Sequence, residues 1–388
     1  MNSNSQHLLN LITKQIATSP QKRITFAEFM DLVLYHPHYG YYSSGTVQIG
    51  SQGDFFTSSS LGADFGELLG KQFIEIWEIL GQPAFFSLVE MGAGQGVLAA
   101  DVFNYLQHHV PQLLKKLSYI IIEQAPGLVG RQQELLQPWL DKGVDIAWKT
   151  WQEIPENSLV GCCFSNELVD AFPVHQVVWQ EGKLQEVYLT SLENKLVEII
   201  AAPSTPQLTD YFTQLDINFS NKTYADGYRS EVNLAALNWL ETLSKRLSKG
   251  YLITIDYGYD ATKYYHPQRS QGTLQCYYQH RRHNNPYLNL GYQDITSHVN
   301  FTALEFLGEL FGLQKVGLTQ QGMFLMALGL GERLQALSNG TFNFQEVLQR
   351  RDALHQLIDP TGLGGFKVLV QNKGIEAKGV LQGLKEFG

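Results

Sequence analysis

The stretch that most constrains this chain is Phe85–Ala100, FFSLVEMGAGQGVLAA. Phe85, Phe86, Leu88 and Val89 form an apolar run short enough for a buried strand. Glu90 follows, and then glycines at Gly92, Gly94 and Gly96. Val97, Leu98, Ala99, Ala100, Val102, Phe103 and Leu106 continue with helical spacing. A strand, a glycine turn and a helix start together predict a nucleotide cradle. Glycine lets a backbone approach a ligand closely, and the first N–H groups of a helix attract electron-rich groups. The spacing narrows the choice. A dinucleotide fingerprint needs G-x-G-x-x-G, and Val97 stands where its third glycine belongs.

E-x-G-x-G-x-G at the end of a first strand resembles the S-adenosylmethionine loop of class I methyltransferases. A plain tight strand–helix turn is the bland alternative. Further strands supply polar residues at the same place. Tyr119–Ile122 ends at Glu123. Ligands of parallel α/β sheets lie beyond the carboxyl ends of the strands, so Glu123 stands beside the glycine loop. There it can accept both ribose hydroxyls of an adenosyl group, while Glu90 buttresses the loop and the ammonium end. A third strand is expected at Val144–Trp148, with the loop Lys149–Trp151 near the adenine; Trp148 or Trp151 could stack there, but core packing is the commoner role for each. Leu159–Phe164 reads as a fully buried strand and ends in SNELVDAFPVH. Its Asn166, Glu167 and Asp170 fall where donor meets acceptor. A carboxylate or an amide carbonyl there orients an amine and offsets growing positive charge. Tyr251–Ile255 brings Asp256 to the same edge. Upstream, GSQGDFFTSSS offers Gly53, Asp54 and Thr57 as part of a covering lid. Singly, each acid could instead cap a helix or sit in its first turn.

The expected fold class is α/β: a class I, Rossmann-like fold with an N-terminal helical lid and an antiparallel insertion. Residues 1–84 form the lid segment, with a Thr25-x-x-Glu28 capping box and a helix from about Ala63. The methyltransferase domain spans 85–388. Within it, His175–Trp179, Leu184–Thr190 and Lys195–Ala201 alternate as strands of an inserted subdomain over about 175–248, which closes with a helix capped by Ser230. Gly272–Asn300 shows no period, and its aromatic and basic content marks it as ordered and functional. Leu313–Leu318 is a sixth strand. Met323–Leu337 and Phe344–Ile358 are helical, and Gly365–Gln371 supplies the late antiparallel strand.

A net charge of −9 argues against non-specific nucleic-acid binding, which depends on neutralising phosphates. Cys162, Cys163 and Cys276 have neither disulfide-framework nor metal spacing, and the pairs His36/His38 and His280/His283 lack carboxylate or thiol partners, so no metal is expected. No apolar run reaches the ~18 residues of a membrane span, and the N-terminus has no signal-peptide core. These features predict a cytoplasmic protein without a membrane span. The oligomeric state stays open.

Taken in order, the blocks ITFAEFMDLVLYHPHYGYY, GDFFTSSSLGADFGELLG, VEMGAGQGVLAADV, SNELVDAFPVH, LITIDYG, GTLQCYYQHRRHNNPYLNLGYQDITSHVNFTAL and FKVLVQ resemble the MidA-type S-adenosylmethionine-dependent methyltransferases. That family includes the mitochondrial complex I assembly-factor methyltransferase. The resemblance spans nearly the whole chain. It implies that Gly92, Ala93, Gly94 and Gly96 hold S-adenosylmethionine, which leaves as S-adenosylhomocysteine, and that Gly53–Thr57 and Asn166–Asp170 flank the site. It also implies symmetric ω-N dimethylation of a protein arginine, notably on a respiratory NADH-dehydrogenase-type subunit. Ser59, Ala93 and Gln95 depart from residues common in the family (proline, proline and arginine). A guanidinium is a poor nucleophile, because its charge is delocalised and its pKa exceeds about 12. Glu167 and Asp170, with Asp54 or Asp256, are the residues expected to grip it. Two rival readings are a non-catalytic assembly chaperone that kept the fold, and a small-molecule methyltransferase.

Overall fold

The computed structural model describes residues 3–43, 57–193, 195–220, 223–279, 281–339, 343–376 and 380–385. Its centre is a seven-stranded mixed sheet. The strands are β1 (Phe86–Met91), β2 (Leu117–Ile122), β3 (Asp145–Trp148), β4 (Leu159–Asn166), β5 (Leu247–Asp256), β6 (Gln314–Gln320) and β7 (Lys367–Lys373). They lie in the order β6-β7-β5-β4-β1-β2-β3. The β1–β5 neighbours run parallel, and β7 is antiparallel to both β5 and β6. The chain steps outward from β1 in one direction and from β4 in the other. That reversal opens a crevice at the carboxyl ends of β1 and β4, where open α/β sheets bind ligands.

Both faces of the sheet are covered, and its strands are accordingly near-continuous apolar runs. On one face, Phe65, Phe73 and Trp77 of the helix Asp64–Ile79 pack with Val102 and Phe103 of Val97–His109 against Leu88, Tyr119 and Phe164. On the other, Trp239 and Leu243 of Leu234–Arg246 and Leu304 of Phe301–Leu310 meet Val89, Ile120 and Leu252. A second, five-stranded antiparallel sheet carries the insertion. It includes His175–Gln180, Lys183–Leu192, Lys195–Ala201 and Tyr228–Val232.

Several local expectations change. The helix after the insertion is capped by Asn233, whose side chain accepts from Ala236 N–H, and not by Ser230. Ser230 lies in a strand paired with Val177, so tertiary pairing overrides its capping propensity. The predicted helix Met323–Leu337 is two helices, Gln321–Ala327 and Leu330–Ala336, because Gly329 turns left-handed between them at φ +107°. The aperiodic Gly272–Asn300 stretch folds into a small sheet of Gln275–Tyr278, Arg281–His283 and Asp294–Thr296. The first 84 residues divide. Ile24–Thr25 pairs with Leu189 and Tyr188 of the insertion, with the predicted Thr25/Glu28 capping box in place, while Asp64–Ile79 belongs to the main core. Gly53 and Asp54 lie outside the described residues.

Candidate active site

Strand register brings the chemistry together. Met91 lies opposite both Ile122 and Ser165, and Ile255 lies opposite Asn166. The residues that follow these positions therefore meet at one edge. They line a cavity of about 580 Å³ whose wall includes Gly92, Gly94, Glu123, Asn166, Glu167 and Asp170.

The glycine loop forms the donor half. Gly92, Gly94 and Gly96 all have positive φ (+71°, +54° and +84°), a conformation costly for any other residue. A Cβ on Gly92 would approach Leu168 Cδ1 to 2.7 Å. Gly96 then caps the helix Val97–His109, which points its N-terminus at the cavity. Glu90 is buried behind the loop and accepts a 2.6 Å hydrogen bond from the Tyr119 hydroxyl. Burial raises its carboxyl to about 7 despite that bond. Glu123 accepts from Ala125 N–H (2.9 Å) and from the Gln132 amide (3.1 Å). Burial raises it too.

Gln132 escaped the sequence reading. It is fully buried and its amide also donates to Gly94 O at 2.8 Å, while its carbonyl accepts from the Trp148 indole at 2.9 Å. One side chain thus ties the glycine loop, Glu123 and Trp148 together. No motif marks it, because it lies mid-helix in Pro126–Asp141.

A second part of the cavity wall begins where β4 ends. Glu167 adopts a left-handed backbone (φ +53°), uncommon for a non-glycine residue and held by its N–H bond to Ile255 O at 2.9 Å. Its Oε1 accepts from Ser58 N–H (3.1 Å) and from the Asn166 amide (3.0 Å). Burial pushes its carboxyl up to about 8 and that of Asp170 to about 6. Among the described residues, Asn166 Oδ1 and Asp170 Oδ1 are buried without a hydrogen-bond partner. Thr57 also lines the cavity. Asp256 does not. Its Oδ2 accepts from Val169 and Asp170 N–H (2.9 and 3.3 Å) and its Oδ1 from Tyr257 N–H (2.9 Å), so it braces the turn that carries Asp170. The expectation that Asp256 grips substrate is corrected accordingly. The wall further includes Tyr35, Tyr42, Tyr277, Asp294 and Thr296, none of them singled out from sequence. Among the described residues, no group of three or more His, Cys, Asp and Glu could hold a metal ion, and no helix is long and apolar enough to cross a membrane.

The cradle suits an adenosyl sulfonium compound: glycines that admit it, a carboxylate at the end of β2, and unpartnered acceptor atoms beyond. Comparison with known proteins agrees. Residues 68–319 match the model of a family of S-adenosyl-L-methionine-dependent methyltransferases. The chain belongs to that family. This methyltransferase is 28% identical over 387 residues to the mitochondrial protein arginine methyltransferase NDUFAF7 of Homo sapiens, covering 92% of this chain and 81% of that protein. The Drosophila melanogaster homolog is likewise 28% identical, over 95% of this chain and 85% of that protein. A solved Burkholderia thailandensis structure bound to S-adenosyl-homocysteine superimposes with a TM-score of 0.86 at 29% identity, covering 98% of this chain and 95% of the other. The α/β methyltransferase fold and S-adenosylmethionine as methyl donor are thereby shown, and a non-catalytic chaperone is not favoured. The cytoplasmic expectation is overturned, since these NDUFAF7 relatives are mitochondrial.

The buried acids make ligand binding pH-dependent. Their pKa values in the folded protein, about 6, 7 and 8 for Asp170, Glu90 and Glu167, exceed those of the unfolded chain. The stability they contribute is complete below the unfolded values and is lost as pH rises through that window. A cationic ligand that favours the ionised acids releases protons on binding. The ligand-free methyltransferase should therefore melt at lower temperature at pH 8.5 than at pH 5.5, while affinity for S-adenosylmethionine rises over the same interval. S-adenosylhomocysteine, which lacks the sulfonium charge, should show a shallower rise. Calorimetric titration in two buffers of different ionisation enthalpy measures the protons released. Equal release for the two ligands would contradict this account.

Proposed function

We propose that this methyltransferase modifies an arginine side chain on a partner protein, by symmetric ω-N dimethylation, and that the partner is a subunit of a respiratory NADH-dehydrogenase-type complex. The observation that carries the reading is the pair of carboxylates in the cavity wall beyond the glycine loop, half-buried Glu167 and buried Asp170. The names of the NDUFAF7 relatives support the arginine acceptor.

Bound S-adenosylmethionine supplies an electrophilic methyl group. We assign Gly92, Ala93, Gly94 and Gly96 to its amino-acid and sulfonium portion, Glu123 to its ribose hydroxyls, and Asn166, Thr57 and Glu90 to supporting contacts. The chain's own contribution at the acceptor is positioning and charge. Carboxylates on two guanidinium nitrogens draw positive charge toward themselves and leave the third nitrogen richer in electrons. Ionised by the bound guanidinium, Glu167 also suits receipt of the proton which that nitrogen must shed, because its carboxyl titrates near about 8 in the ligand-free protein.

Mass spectrometry of methylarginine sites in a strain lacking this protein tests the assignment. Loss of dimethylarginine at one site on a partner, restored by the wild-type gene and not by the Glu167→Gln, Asp170→Asn double variant, is the expected result. An unchanged methylarginine profile, or rescue by the double variant, would count against it.

A further inference from the structure

The acceptor half of the cavity has a second acidic wall. Asp294, on the strand Asp294–Thr296, lines the cavity at 2% exposure, opposite Tyr277 in the pairing register. Its Oδ1 is pinned by the Tyr42 hydroxyl at 2.8 Å and by Ile295 N–H at 2.9 Å. Burial and the Asp294 charge both hold the Tyr42 phenol well above its usual range, so it remains a donor. Tyr42 stacks on Tyr35 with ring centres 5.4 Å apart, and the Tyr35 hydroxyl donates to Ala171 O at 2.8 Å. Ser297 N–H donates to Asp170 O at 2.9 Å. Two stretches distant in sequence, one carrying Asp170 and the other Asp294, are thus sewn together through the two tyrosines. Thr296, also in the wall, has a buried hydroxyl without a partner among the described residues.

We propose that Asp294, oriented by Tyr42, contacts the acceptor side chain and selects a guanidinium over an ammonium. The proposal deepens the arginine reading and rests on it. Among the described residues, five carboxylates and one arginine, Arg282, line the cavity. That balance favours a cation. A planar guanidinium presents donors along more than one edge, so carboxylates on two separate elements can each take an edge. The flat faces of Tyr35, Tyr42 and Tyr277 suit its plane through cation–π contact. A lysine ammonium is a point charge, strongly hydrated, and gains less from two spaced acceptors and stacked rings. Asp294 is a substrate contact in this scheme. Tyr42 is a positioning residue, because it acts through Asp294.

The test is direct binding to the full chain saturated with S-adenosyl-homocysteine, with N-acetyl-arginine amide and N-acetyl-lysine amide as probes. Wild-type protein should prefer the arginine amide. Asp294→Asn should weaken arginine-amide binding by ~10-fold or more, the range expected for losing a hydrogen bond to a charged group, and should remove most of the preference. Tyr42→Phe should weaken it by ~3-fold with the preference narrowed in the same direction. Affinity for S-adenosyl-homocysteine should stay within about twofold in both variants, since neither residue is assigned to that half. If the wild type shows no preference for the arginine amide, the arginine reading falls and this proposal with it. If the preference exists but Asp294→Asn retains it, the proposal falls alone. Loss of S-adenosyl-homocysteine binding in Asp294→Asn would also overturn it, by making Asp294 a support of the fold.

Discussion

Glu123→Ala should weaken S-adenosylmethionine binding by roughly ten- to a hundredfold while leaving a folded protein. Each carboxylate oxygen can accept two hydrogen bonds. In Glu123, Oε1 already accepts from Ala125 N–H at 2.9 Å and Oε2 from the Gln132 amide at 3.1 Å. The Gln124 N–H donates to the same carboxylate, so one acceptor position is left for a ribose hydroxyl. A hydrogen bond to a charged group contributes about 1.5–3 kcal/mol, and the loss of one accounts for the factor. Glu123→Gln keeps one acceptor and turns the other into a donor, so roughly tenfold of the affinity should go. The fold should tolerate both changes, because burial already raises the Glu123 carboxyl and its removal relieves that desolvation. Calorimetric titration with S-adenosylmethionine and S-adenosylhomocysteine decides the matter. The two ligands should lose affinity equally, since both carry the ribose. Alanine-variant binding within threefold of wild type would remove Glu123 from the ribose assignment.

Glu167→Gln should lower turnover by about 10²–10³-fold with little change in affinity for the methyl donor. Its Oε1 is occupied by Ser58 N–H and the Asn166 amide, and we assign the other oxygen to the acceptor. At neutral pH the ligand-free Glu167 is protonated, because its carboxyl titrates near about 8. A glutamine therefore imitates its resting state, and melting temperatures at pH 7 should agree closely. Above pH 8 the wild type must bury a charge and the variant need not, so the variant should be the more stable of the two at pH 9. Turnover behaves differently. An amide can neither balance the charge of a guanidinium nor receive its proton. A variant with near-wild-type turnover at saturating acceptor would show that Glu167 supports the loop and takes no part in transfer.

The donor side of the site was legible in linear sequence because its parts are local. Gly92, Gly94 and Gly96 must follow one another to make the turn, and Glu90 and Glu123 lie next to strand ends that hydrophobic runs mark. The carboxyl-end rule then places them at one edge before any coordinates exist. Glu167 and Asp170 were visible for the same reason. Asp256 shows where that rule falls short. It sits at the end of β5 in the same edge, yet its carboxylate turns to three backbone N–H groups and does not line the cavity. Position along a strand does not reveal which way a side chain turns, nor which backbone donors await it.

The part of the cavity wall formed by Tyr42 and Asp294 was hidden by distance. Tyr42 and Asp294 are 252 residues apart and meet only because the N-terminal helices and the Asp294–Thr296 strand pack into one cluster, with Phe29, Tyr41, Cys276 and Ile295 in its core. Neither residue belongs to a spaced motif, and the surrounding sequence has no period to fix its register. Gln132 was obscured differently. A buried glutamine on a helix looks in sequence like any polar position, and its three partners come from Gly94, Glu123 and Trp148.

Returning to Phe85–Ala100, this stretch by itself determined the class of ligand, because left-handed turns at close spacing admit glycine and little else, and the missing glycine at Val97 excludes a dinucleotide. The tertiary structure alone decided what lies across from it. Which carboxylates line the cavity, which are held by backbone, and which tyrosines bond to them depend on contacts between segments distant in the chain, and such contacts leave no periodic trace in it.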